Sequence, residues 1–322
     1  MTTREMLVVA VALSLAAPAV LSQTYPSKVV RLVVPQGVGG TSEIVARSVA
    51  HKLSENLGRQ FIVENKGGGA GIIATTEVAR AEPDGHTLLQ GHVGLLAMNP
   101  AMIKDLPYDA DKDFAPVSLL AVSPNIYIVN ASVSANNLKE FVALVKSQPG
   151  RLYHGSAGNG SVSHLAFEYF KTVTGIDMVH VPYKGTGPML TDLIAGQVQA
   201  TSLGSPVVLS HVKAGKLRAV AVGTTQRIAA VPEVPTVAEQ GYPGFEASQW
   251  YGILVPAKTP AAVVNKLSAE IVKALKSDEV QARFREDGTV AAGSTPTEFA
   301  AYIKKEQVRW AEVVRKSGAK SE

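Results

Sequence analysis

The chain has 322 residues, of which 46% are hydrophobic and 18% charged, with a net charge of +4 and no cysteine. That balance is globular and the length allows two domains. It excludes a disordered chain and a disulfide scaffold, and the lack of a basic stripe interleaved with aromatics argues against nucleic acid as a partner.

The N-terminus opens with Arg4, an apolar run from Met6 to Ala17, and small-x-small cleavage signals at Ala17-Pro18-Ala19 and before Gln23. Residues 1–22 are therefore expected to be an export signal. The run is too short to span a bilayer comfortably, and no cysteine is available for a lipid anchor. The expected location is the periplasm, without an anchor.

The rest of the chain is organised around residues 31–57, RLVVPQGVGGTSEIVARSVAHKLSENL. An apolar strand, Leu32-Val33-Val34, ends at Pro35, and Gly37, Gly39 and Gly40 lead into Thr41 and Ser42. Ile44, Val45, Val49, Leu53 and Leu57 then recur at helical spacing until Gly58. Unpaired N–H groups at such a helix start, with the helix dipole behind them, favour an anion, carboxylate or phosphate.

Strand and helix patterns then alternate. Phe61-Ile62-Val63 is a strand, Gly67 to Gly71 a second glycine loop, and Ile72 to Ala79 a helix. Thr87-Leu88-Leu89 forms a strand leading to His92, and Val117 to Leu120 and Asn125 to Val129 read as two separate strands. A helix over Leu138–Val145 precedes a second run of the same kind. In it, the strand Leu152–Ser156, the glycine loop Ala157–Ser161 and the helix Val162–Val173 are followed by the strand Met178–Val181. Then come a helix over Pro188–Ala195 and strands over Val198–Leu203 and Leu217–Val222. The tail from Pro260 to Lys316 reads as two long helices. The whole is an α/β pattern of parallel-rich mixed sheets covered by helices.

Ligands in open α/β sheets sit outside the carboxyl ends of the strands. That rule selects Gln36, Gly39, Gly40, Thr41, Ser42, Gly69, Ala70, Gly71 and His92 from the first run. From the second it selects Ser156, Asn159, Gly160, Tyr183 and Ser202. An isolated glycine loop is as readily a tight turn with a helix cap, but several loops after successive strands favour a composite pocket. Gly67–Gly71 lacks the Gly-Lys-Ser/Thr of a phosphate-binding loop, and no dinucleotide fingerprint opens the first unit, so no cofactor is expected. His164 and Glu168, four apart on a helix, read more readily as a polar contact than as metal ligands. Ser156 with His164 raises a serine hydrolase as an alternative, although no Gly-x-Ser-x-Gly elbow surrounds the serine. Trp250 and Tyr251 are expected to pack near the cleft.

The ordered set of segments resembles the periplasmic solute-binding proteins of tripartite tricarboxylate transporters, the Bug family. The segments are RLVVP (31–35), Gly39-Gly40 with Glu43, IVEN (62–65), PDGHTLL (83–89), LPYD (106–109), DFAPV (113–117), HGSAGNGSVSHLA (154–166), HVPYKG (180–185), AGKLRAVAV (214–222) and PEVPTVAEQGYPGFE (232–246). The resemblance implies a two-domain type II binding-protein fold of the Venus flytrap kind, with domain 1 over 24–123 plus 250–322 and domain 2 over 124–249. It also implies a monomer without catalysis or cofactor. Such a protein carries a small carboxylate (a di- or tricarboxylate, an acidic amino acid or an aromatic acid) to a membrane permease. A ligand-dependent partner of a sensor kinase is the alternative. Where the family usually places a Pro in the second loop this chain has Gly67, and Thr201 and Ser202 stand where large apolar residues are common. Those polar residues predict a wetter pocket.

Overall fold

The computed structural model describes residues 25–317. The export signal expected over residues 1–22 lies outside them.

The first strand, β1 (Val30–Val34), is followed by α1 (Thr41–Leu57), β2 (Phe61–Asn65), a 3-10 turn over Gly69–Gly71, α2 (Ile72–Ala79) and β3 (Thr87–His92). A π-helical turn over Gly94–Met98 runs into α3 (Asn99–Met102), and β4 (Phe114–Asn130) comes next. The second run comprises α4 (Leu138–Ser147), β5 (Tyr153–Ser156), α5 (Val162–Thr174), β6 (Val179–Pro182), α6 (Thr186–Ile194), β7 (Ala200–Gly204), α7 (Ser205–Lys213) and β8 (Leu217–Val222). The chain closes with β9 (Ser248–Pro256), α8 (Ala261–Leu275), α9 (Asp278–Glu286), β10 (Val290–Ala291) and α10 (Pro296–Ser317).

The sheet order is β2-β1-β3-β9-β4-β7-β5-β6, with β8 and β10 also paired to β4. β1 is parallel to β2 and β3, and β5 is parallel to β6 and β7, whereas β9 and β4 run antiparallel to their neighbours. This is the mixed α/β architecture of a type II periplasmic binding protein, with two domains and a cleft between them, though antiparallel pairs slightly outnumber the parallel ones that the sequence pattern predicts to dominate.

β4 connects the two halves. The sequence pattern predicts two strands, Val117–Leu120 and Asn125–Val129, but the structure shows one strand of 17 residues. From Phe114 to Pro124 it pairs with β9, and from Asn125 to Asn130 it pairs with β7 and β8. Pro124 lies where the partners change, a place where a missing N–H donor is tolerated. The tail also differs from expectation, with α9 standing between the two long helices. Ser277 caps α9 by accepting the Val280 N–H.

Each half has its own core on both faces of its sheet. Val45, Val49 and Leu53 of α1, spaced four apart, pack with Leu267 and Ile271 of α8. Trp250, Phe299 and Trp310 fill the other side of the first half. In the second half, Tyr127, Phe141, Phe167 and Phe170 cluster on one face and Ile126, Met189 and Leu193 on the other. Each such buried side chain contributes roughly 1.5–3 kcal/mol. These cores fix the strand ends from which the glycine loops project.

Candidate ligand-binding cleft

A cleft of about 900 Å³ opens at the strand ends between the two halves. Five helices begin on it. Gly40 precedes α1, Gly71 precedes α2, Ser161 precedes α5, Gly185 precedes α6 and Gly204 precedes α7, and all five residues line the cleft. Only Ser161 among them caps its helix with a side chain, accepting the His164 N–H. The four glycine caps offer no side-chain acceptor, which leaves the first N–H groups of α1, α6 and α7 for another partner, while at α2 the Gly71 and Ile72 N–H groups are taken by the Gly68 and Gly69 carbonyls. With each helix start worth about half a positive charge, the cleft attracts anions.

The first-half wall is shaped by two turns in close contact. Gly67 sits so near the preceding turn that a Cβ there would lie 2.7 Å from the Gly37 nitrogen. Only glycine allows that approach. The Gly39 N–H is taken by the Glu43 carboxylate at 2.7 Å, and Arg47 holds the same carboxylate at 2.8 Å. Burial works to raise the Glu43 pKa, but these two donors hold it below the usual range.

His92 closes this wall. Its Nδ1 accepts the Gly94 N–H at 3.1 Å, and its Nε2 lies 3.3 Å from the Gln36 side-chain amide. Burial lowers its pKa to about 4, so the ring is neutral at pH 7. Behind the wall, the Tyr251 hydroxyl bonds Thr41 and Gln249, and Gln249 Nε2 donates to Asn125 Oδ1 at 2.6 Å. This chain of side chains ties the start of α1 to the crossover strands.

The second-half wall is the loop Ala157–Ser163, and three histidines stand behind it. The parallel register of β5 and β6 puts His154 opposite His180. Their rings stack at 4.9 Å, and His164 from α5 stacks on His180 at 4.0 Å. His164 Nδ1 accepts the Gly160 N–H at 3.2 Å, and His180 Nε2 shares a 2.6 Å hydrogen bond with the Ser156 hydroxyl. Burial is the main cause that lowers His164 to about 4 and His180 to about 3. Burial alone would raise Glu168, but His154 at 3.1 Å and Lys171 at 2.9 Å hold it down to about 2.

Gln36, Gly40, Thr41, Gly69, Gly71, His92, Asn159, Gly160 and Tyr183 line this one cleft. Ala70 lies in the same turn as Gly69 and Gly71. Gly39, Ser42, Ser156 and Ser202 are not among the described lining residues. Gly39 has given its N–H to Glu43, Ser42 is buried and donates to Gln90, and Ser156 is fully buried against His180. Ser202 is buried on β7 opposite Tyr127, and Thr201 donates to the Gly155 carbonyl, so neither wets the cleft. The Tyr183 hydroxyl donates to Asp192 at 2.8 Å, and its pKa is pushed up to about 12 by burial and that carboxylate.

Sequence reasoning missed Gln249, Thr186, Gly204 and Ile103, which also line the cleft. Gly185-Thr186 carried the signal of a glycine before a helix. Gln249 gave none, since it lies within an apolar strand. Trp250 and Tyr251 pack in the core, as expected. His164 and Glu168 do not converge as metal ligands, since each is bonded elsewhere.

A cleft between two α/β halves, ringed by helix starts and polar hydrogen-bond donors, defines a solute-binding protein of the periplasmic type. The chain belongs to the tripartite tricarboxylate transporter family receptor family, TctC, whose match covers residues 45–319. This is a family of periplasmic receptors that bind small carboxylates, work with transporter permease components and catalyse nothing. Protein BugT of Bordetella pertussis is 36% identical over 307 residues, covering 95% of this chain and 94% of its own length. Among solved structures, Rpa4515 of R. palustris with adipate has a TM-score of 0.88 at 35% identity, covering 91% of this chain and 98% of its own. MatC (Rpa3494) from Rhodopseudomonas palustris with bound malate has a TM-score of 0.85 at 34% identity, covering 90% and 100%. The Ser156–His180 pair is thus a structural contact in a receptor rather than a catalytic dyad. No helix among the described residues is long and apolar enough to cross a membrane.

Proposed function

We propose that this protein is a periplasmic receptor that captures a small organic carboxylate in the cleft and delivers it to the membrane permease of a tripartite tricarboxylate transporter. The observation that carries this reading is the convergence of five helix starts, from both halves, on one cleft. Adipate and malate in two relatives of the same fold agree with it.

Gly40, Thr41 and the Gly69–Gly71 turn hold one end of the ligand, with Gln36 and His92 beside them. Asn159, Gly160 and Tyr183 hold the other. The cleft is wider than a small acid, so water bridges part of the contact at little cost. Oriented amide dipoles in a partly dry cleft stabilise a carboxylate without a buried cation. We further propose that the two walls close on the ligand by a hinge in β4 and β9, supported by the change of partners along β4 at Pro124 and Asn125. A ligand touching both walls favours the closed form by its differential affinity.

A thermal-shift screen over aliphatic di- and tricarboxylates, hydroxy acids, acidic amino acids and aromatic acids tests this. A ligand at a hundred times its Kd stabilises by about 2.7 kcal/mol, which raises the midpoint by several degrees. If no acid in the screen moves the midpoint of the folded protein, the reading fails.

A further inference from the structure

Helix α5 carries two apolar stripes instead of one. Ala166, Phe167 and Phe170 turn into the second half's own core, with Tyr127 and Phe141. Val162 and Leu165 lie buried instead with Val93, Leu95, Trp250 and Trp310 of the first half. Tyr169 stacks on Phe245 at 4.8 Å and meets the Trp310 ring edge-on at 6.2 Å. Steps of three and four residues put Val162, Leu165 and Tyr169 on one face of the helix. That face packs against the opposite half.

The same helix carries the second wall of the cleft. Its cap Ser161 and the preceding Gly160 line the cleft, and the Gly160 N–H is fastened to His164 on the first turn. The far side of the contact is tight. A Cβ built on Gly94 would lie 3.4 Å from Val162 Cγ2 and 2.8 Å from Cε1 of His92, which lines the first wall. Trp310 is held from behind, since Glu306 accepts its ring N–H at 3.3 Å and that of Trp250 at 2.9 Å. Close-packed side chains resist being driven further into one another, so this contact marks how near the two halves come.

We propose that α5 is the stop on which the cleft closes, and that Leu165 and Tyr169 are positioning residues that set the distance between its walls. The length of acid that reaches both walls then follows from the bulk of two side chains that are not among the described lining residues. This rests on the carboxylate-receptor reading and its hinge, and adds what ends the motion. A misplacement of about 1 Å weakens an oriented interaction by up to about a hundredfold. A small change in the stop is therefore enough to re-rank acids that differ by one methylene.

Leu165→Ala removes bulk from the stop. The halves then settle closer as the cavity partly relaxes, and shorter acids gain over longer ones. The test is calorimetric titration of a series that lengthens the tightest acid of the screen one methylene at a time, such as succinate, glutarate, adipate and pimelate. The intact receptor is expected to show one best length. In Leu165→Ala, affinity for the next shorter acid relative to that best length should rise at least roughly tenfold. Tyr169→Leu, at a half-buried position, should move the same ratio in the same direction by less.

Phe170→Leu is the matched control, on the other stripe of the same helix. It loses the 4.3 Å stacking on Tyr127, so it should lower stability in a urea titration and leave the ratio where it was. An unchanged or reversed ratio in the folded variants among Leu165→Ala and Tyr169→Leu overturns the proposal. So does an equal shift in Phe170→Leu, or a parent with no preferred length. A parent that binds no acid in the screen overturns the carboxylate reading beneath it, which is a separate failure.

Discussion

The turn Gln36–Thr41 and the loop Ala157–Ser163 line the cleft from the two halves of the molecule, and different contacts keep them in place. The first is shaped by main chain against main chain, with Gly67 pressed against Gly37 and the Gly39 N–H closed onto Glu43. The second rests on imidazoles, with Gly160 tied to His164 and Ser156 tied to His180. A backbone contact of the first kind fails when a side chain is inserted. A contact of the second kind fails when a proton is added. One receptor cleft therefore carries two distinct sensitivities, one to sequence and one to pH.

The largest effect is expected where the comparison is easiest to break. Gly67→Val inserts a branched side chain into the 2.7 Å approach to the Gly37 nitrogen. It should displace both turns, cost about 1–3 kcal/mol of stability and weaken carboxylate binding by about a hundredfold. Denaturant titration and calorimetry check the two numbers separately. A variant that binds normally would mean that the first wall does not depend on this contact.

Acid should act through the histidine-backed wall. The His164 imidazole has an ordinary pKa of 6.5 when unfolded and about 4 when folded. Between those values the unfolded chain holds the extra proton, so stability is complete above about pH 6.5 and falls as the pH drops toward 4. His180, lowered to about 3, acts in the same direction. The loss attributable to His164 is on the order of 2–3 kcal/mol by pH 4. Urea titrations at pH 7, 5.5 and 4 measure it.

His164→Leu sharpens the same point. It removes the acceptor of the Gly160 N–H, at a cost of roughly 1–3 kcal/mol at pH 7, and flattens the acid slope. A slope as steep as in the parent would shift the acid sensitivity to other groups, His92 first among them. The smallest effect is expected from Lys184→Gln, since an exposed charge is screened by salt and contributes little. Affinity for a carboxylate should fall by less than about threefold at physiological ionic strength. A drop of a hundredfold would make the lysine, and not the helix starts, the anion's main partner.

The two walls also differ in how far the sequence revealed them. Glycine runs followed by helical spacing mark Gly40, Gly71 and Gly160 as loop positions, because a local pattern encodes a local structure. The histidine cluster has no such signature. His154, His164 and His180 come from a strand, a helix and another strand, and only the register of β5 with β6 brings the outer pair together. Ser156 looked like a ligand contact by its place at a strand end, yet its side chain turns to His180. Thr201 and Ser202 misled for a related reason. A polar residue at a strand end has two faces available to it, and here both residues are buried in the sheet. The continuity of β4 is not legible in its two apolar runs, since Pro124 between them is accommodated only by the change of pairing partners, which is a tertiary fact.

Helix-start amides of both walls are expected to be the acid's main partners. A crystal structure with the tightest-binding carboxylate of the screen tests this directly. The predicted result is a carboxylate within hydrogen-bonding distance of N–H groups at the starts of α1 or α2 and at the Asn159–Gly160 turn, directly or through one water. A carboxylate bound outside the cleft, or held chiefly by the Lys184 ammonium, would contradict it.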